Sequence, residues 1–196
     1  TEPGKYTLEQ PLTHQYLAGI IIAAPSVVLD GQGFTVQPAQ QGRDSSVGIW
    51  ISLADGSGNP VTGVTIRNLS IVGEGCGIYA EGADSSAYPW GMDHSANPAL
   101  ASVRTLSLSD VTISSCHEGI VLNGQSGVRI ADVTVSECSK SGITINDGQA
   151  QIIRSTVSGS GESAIHIDGG SGHEITSSTV RDNAWSGIWL EQVSDV

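Results

Sequence analysis

Residues 142–191 read GITINDGQAQIIRSTVSGSGESAIHIDGGSGHEITSSTVRDNAWSGIWLE. Three times in this stretch a small residue and an Ile open a short alternating run: GITI at Gly142, AIHI at Ala164 and GIWL at Gly187. Two further runs fill each interval. AQI ends at Ile152 and STV at Val157; HEI then ends at Ile175 and a second STV at Val180. Each run puts Ile, Val or Leu at every second position, the period of a strand with one face inside and one outside. No window keeps the 3.6-residue period of a helix.

The same landmark extends towards the N-terminus as GIVL at Gly119, GIYA at Gly77, GIWI at Gly48 and GIII at Gly19, so the successive spacings are 29, 29, 42, 23, 22 and 23. A repeat of this size makes each period one supersecondary unit. Three short strands in about 22 residues bury nothing alone, but stacked units share one core. The expected fold is all-β: a right-handed parallel β-helix of about seven coils, with three short strands per coil. It forms a single domain over 1–196, with an inserted loop at 81–102. Ile120, Ile143, Ile165 and Ile188 should make one buried stack. At about 4.8 Å per coil the rod is short.

Composition agrees with many tight turns: 25 of 196 residues are Gly and only 14% are charged. Eight Lys and Arg stand against 20 Asp and Glu, a formal charge of −12. Such a balance disfavours nucleic acid, whose affinity comes from cationic contacts to phosphates, and an anionic membrane surface. The most apolar run, LAGIIIAAPSVVL (17–29), is too short to span a bilayer. A polyanionic glycan would be repelled unless calcium bridged the charges; otherwise no cofactor is expected. The chain opens at Thr1 without a basic or apolar leader, which suits a mature secreted or cell-surface protein. Cys76, Cys116 and Cys138 leave at least one thiol unpaired. Cys116 and Cys138 share a column that Ser160 and Asn183 continue, an internal ladder at a turn.

VVLDGQGFTV (27–36) resembles the opening of NosD/CASH-type β-helix proteins, within the pectin-lyase-like superfamily. The resemblance implies the fold over nearly the whole chain. It leaves surface proteins, carbohydrate-processing enzymes and periplasmic accessory proteins open as functions. The NTD, DD, GHG and RIK elements of polygalacturonases are missing. WGMDHS (90–95) resembles a WxDH element of pectate lyases but is one residue longer.

The residue after each landmark Ile points outwards: Ile21, Trp50, Tyr79, Val121, Thr144, His166 and Trp189. Two places on stand Ala23, Ser52, Glu81, Asn123, Asn146, Asp168 and Glu191. Aromatic rings can stack on sugar faces, and paired carboxylates can act as acid and base. Trp50, Tyr79, Glu81 and Trp189 are therefore candidate ligand-binding residues. Tyr88, Trp90, Asp93 and His94 of the inserted loop join them, since a long loop on a rigid scaffold is a common place for function. Asp168, Glu191 and His166 are the candidates for catalysis, and the missing enzyme motifs weigh against it. Ser70, Thr112, Thr134, Thr156 and Thr179 form an outward hydroxyl ladder, in keeping with β-propensity. Asn68-Leu69-Ser70 has the form of a glycosylation sequon.

Two functions follow. By register Val196 begins an eighth turn, and no cap follows Trp189, so one expectation is a structural subunit that stacks coil end on coil end with copies of itself, as a ring or filament. The other is a β-helix that binds or processes polysaccharide, or a fragment of a larger one.

Overall fold

The structure, a computed structural model, describes residues 2–40, 43–81 and 105–195. Tyr88, Trp90, Asp93, His94, Val196 and all but the first residue of the expected 81–102 loop lie outside them. The described residues contain strands and turns, and no helix long and apolar enough to cross a membrane.

Every strand pairs in parallel with the one a coil away, making three ladders of seven rungs. The landmark sheet stacks Ala18–Ile22, Arg43–Ile51, Glu74–Ala80, Glu118–Ala131, Ile143–Ile153, Ile165–Asp168 and Ile188–Glu191. The second sheet stacks Gly4–Thr7, Val27–Asp30, Val64–Val72, Thr105–Ser114, the later halves of Glu118–Ala131 and Ile143–Ile153, and Glu174–Thr176. The third stacks Leu12–His14 and Thr35–Pro38 on the later halves of Val64–Val72 and Thr105–Ser114. Thr134–Ser136, Thr156–Ser158 and Thr179–Arg181 follow. This is the coiled architecture expected from the repeat.

Period-2 alternation explains the core. Ile120 pairs Ile143, which pairs Ile165, and all three are buried. Leu108, Ile130 and Ile152 do the same from the second sheet, and Ile113, Val135 and Val157 from the third. Backbone donors hold the rungs together, as where Ile120 N donates to Gly142 O at 2.9 Å and Ile143 N to Ala164 O at 2.8 Å. Ile188 corrects the expected stack: it occupies the inward position but is 44% exposed, because no described strand stacks on the far side of Ile188–Glu191. Leu190 beside it is 41% exposed for the same reason.

The corners explain the turn-rich composition. Between the second and third sheets one residue in each of the last five coils has positive φ: Asn68 (52°), Asp110 (54°), Asp132 (56°), Arg154 (48°) and Ser177 (53°). A second such column runs through Ser115, Glu137 and Asp182, and a third through Asp147 and Gln192. Left-handed backbone is tolerated best by Gly, Asn and Asp, so a chain that needs it repeatedly accumulates these residues.

The landmark Gly has another reason. A Cβ on Gly119 would stand 2.2 Å from Gly142 O and 2.6 Å from the Val135 methyl. The small residue thus faces the core, where sheet meets sheet. Gly119→Ala is expected to lower stability by about 1–3 kcal/mol through forced backbone displacement. An unchanged urea midpoint would show that the coil absorbs the methyl, as the backbone around Ala164 already does.

Inside the corner leading to the landmark sheet runs a polar column. Cys116 O accepts from Ser139 N at 3.0 Å, Cys138 O from Gly161 N at 2.8 Å and Ser160 O from Ala184 N at 2.8 Å. Glu74 stands one rung earlier, its carbonyl accepting from His117 N at 2.8 Å. Cys116 and Cys138 are both buried and free, as is Cys76, which sits outside this column. Burial pushes the Cys116 thiol up to about 11 and the Cys138 thiol up to about 12. Since an unfolded thiol ionises near about 8.5, the stabilisation is complete below that pH and fades as pH rises towards the folded values. In the native protein at neutral pH, iodoacetamide should label none of the three at an appreciable rate, and all three after denaturation. Rapid native labelling would contradict the burial.

Candidate functional site

The outward face of the landmark sheet divides into three parts along the rod. The first is closed. Trp50 and Tyr79 pair across neighbouring rungs and meet edge to face, with centroids 5.9 Å apart and planes at 87°. Trp50 is 8% exposed and Tyr79 2%, and both belong to an apolar cluster with Val47, Cys76 and Val121. Glu81 is buried here too. Its Oε1 accepts from Trp50 Nε1 at 2.8 Å and its Oε2 from Leu53 N at 2.6 Å. Three candidate binding residues, Trp50, Tyr79 and Glu81, are therefore engaged within the protein, Trp50 with both of the others. Aromatic packing joined to a doubly accepting carboxylate is a structural arrangement.

The second part is an amide ladder. Asn146 Nδ2 donates to Asn123 Oδ1 at 2.8 Å, and Asn123 Nδ2 to Ala80 O at 3.3 Å. Gln125 Nε2 donates to Glu81 O at 2.9 Å. These carboxamides tie adjacent coils together along the corner.

The third part is open. Thr144, His166 and Trp189 follow one another in register, and Asp168 pairs Glu191 beside them. The His166 and Trp189 rings stack with centroids 4.4 Å apart and planes at 16°. One face of Trp189 rests on the imidazole, and the residue remains 41% exposed. His166 Nε2 lies 3.9 Å from Glu191 Oε2, beyond hydrogen-bond distance. Trp185, two residues before Gly187, is 67% exposed. The site thus brings an aromatic stack, an imidazole and two carboxylates onto adjacent rungs. Among the described residues no three His, Cys, Asp or Glu side chains converge as a metal site. A cleft of about 400 Å³ lined by His14, Tyr16, Pro38 and Gln40 lies at the first coil, away from this cluster.

A buried pair was missed from sequence. His14 Nε2 and Glu74 Oε1 are 2.7 Å apart, reaching across the intervening coil. Sixty residues separate the two. The usable signal was that Glu74 heads the column of Cys116 and Cys138.

The family model described as right handed beta helix region matches residues 99–196. No curated protein and no solved structure matches the chain.

Proposed function

Because the chain belongs to the right-handed β-helix family, we propose that it is a polysaccharide-binding β-helix, secreted or held at a cell surface, that takes sugar on the open third of its landmark sheet. The observation that carries this is the exposed Trp189 ring, stacked on His166 with Asp168 and Glu191 in register beside it. Indole stacks on the apolar face of a pyranose while carboxylates accept hydrogen bonds from its hydroxyls. Binding is taken over turnover because the NTD, DD, GHG and RIK elements of polygalacturonases are missing from the chain. The resemblance of VVLDGQGFTV (27–36) to the opening of NosD/CASH-type proteins, a group that includes carbohydrate-processing enzymes, supports this reading.

Native gels cast with soluble polysaccharides test it. At least one polymer should retard the wild type, and Trp189→Ala should run unretarded while keeping its melting temperature. Reducing ends should not accumulate when protein and polymer are incubated together. No retardation by any polymer would overturn the reading.

A second reading rests on a separate observation. The inward residues Ile188 and Leu190 are 44% and 41% exposed, an apolar coil surface that a copy of the chain could cover by stacking. On this reading the protein is an extracellular structural subunit that builds a head-to-tail filament. Sedimentation should then show concentration-dependent association that Ile188→Lys abolishes. A monomer at every concentration would remove it.

A further inference from the structure

The charge pattern around Trp189 narrows the ligand. We infer that the polymer carries free amines, as a polyglucosamine does, and that Asp168, Glu191 and Asp147 bind its ammonium groups. This rests on the reading of the Trp189 face as a glycan site.

Three successive coils contribute one carboxylate each near the corner where the landmark sheet ends. Asp168 and Glu191 are direct rung partners. Asp147 sits at the positive-φ corner one coil earlier, and its Oδ1 lies 2.3 Å from where a Cβ of Gly169 would be. Asp147 and Glu191 are exposed and Asp168 is half-buried. Among the described residues no Lys or Arg pairs with any of the three. Elsewhere three arginines are committed: Arg67 to Asp30, Arg154 to Asp132 and Arg181 to Asp182. The outward positions of the landmark sheet around Trp189 hold Thr144, Asn146, His166, Asp168 and Glu191, with no Lys or Arg among them.

A polyuronate would meet this strip with like charge, on a chain whose net charge is already −12. A single metal ion does not suit it, because the carboxylates line successive rungs and do not converge. Ammonium groups spaced along a polymer suit it better. Each meets a carboxylate on its own rung, and the sugar face beside it rests on indole, where a cation gains further attraction. The closed part of the same sheet supplies the contrast, since Glu81 there has both oxygens already occupied by protein donors.

The test is calorimetry with four oligosaccharides of equal length: a glucosamine hexamer, its N-acetylated form, a neutral glucose hexamer and a galacturonate hexamer. The glucosamine hexamer should bind, and acetylation should weaken it about five- to tenfold, the size expected of two or three exposed ion pairs. The galacturonate hexamer should not bind. The double variant Asp168→Asn/Glu191→Gln should lose a similar factor. Asp110→Asn/Glu137→Gln has the same charge change on other faces and should stay within about twofold. Equal binding of acetylated and free hexamers would overturn the amine proposal and leave the glycan site standing. Equal losses in the two double variants would reduce the effect to non-specific charge and overturn it as well. If no hexamer binds, the glycan reading itself fails.

Discussion

Ile143→Ala is expected to destabilise the protein by about 2–5 kcal/mol, the range for truncating a fully buried aliphatic side chain. Ile143 has no exposed surface, and it is sandwiched between Ile120 on one rung and Ile165 on the next. The cavity term should be large here. The rung spacing is held by backbone hydrogen bonds on both sides of the site, so the neighbouring coils cannot close on the void. Ile188 is the internal control. It occupies the same column one rung beyond Ile165 and is 44% exposed. Its truncation removes far less buried surface, so Ile188→Ala should stay below about 1 kcal/mol. Urea unfolding of the two variants decides the matter. Equal losses would mean that the column is not a stack with an open last rung.

The contrast between those two residues also shows what the chain disclosed before it was folded. Alternation of Ile and Val with polar residues, repeated every 22 or 23 residues, determines inside and outside wherever a coil has neighbours on both faces. Ile120, Ile143 and Ile165 were legible for that reason. Ile188 carries the same pattern, but pattern does not report whether a further coil lies above. Outward parity is silent in the same way. Trp50, Tyr79 and Trp189 share one column, yet two are buried and one is exposed. The candidate site was therefore legible as a column and not as a surface, and only its His166, Asp168, Trp189 and Glu191 end stands open. The corners were hidden for a different reason. Asp132, Arg154 and Ser177 all adopt the same left-handed backbone. Their side chains have little in common, because the neighbouring rungs impose the conformation and residue preference only eases it.

The contact between His14 and Glu74 leads to the second large effect: Glu74→Ala should cost about 3–5 kcal/mol, as removal of one partner from a buried pair does. The geometry counts protons. His14 Nδ1 lies 3.0 Å from Tyr16 O, a carbonyl that can only accept, so Nδ1 carries a hydrogen. Nε2 lies 2.7 Å from Glu74 Oε1, a separation that requires one more proton between them. Whether that proton rests on nitrogen or oxygen, alanine at 74 strands Nε2 in a site where the His14 side chain is 5% exposed. The converse variant, His14→Ala, should be at least as damaging. It leaves a carboxylate whose side chain has no exposure and whose Oε2 already has no partner. The double variant His14→Leu/Glu74→Leu should recover most of the loss, because an apolar pair of similar bulk removes the desolvation penalty together with the interaction. The pair bridges the first and third coils, so hydrogen exchange in Glu74→Ala should accelerate first in Leu12–His14 and Ala18–Ile22 and leave Ile143–Ile153 protected. A double variant as unstable as the worse single one would show that the two side chains are needed for their shape. A Glu74→Ala loss below about 1 kcal/mol would show that water replaces the carboxylate and that the coils are held without it.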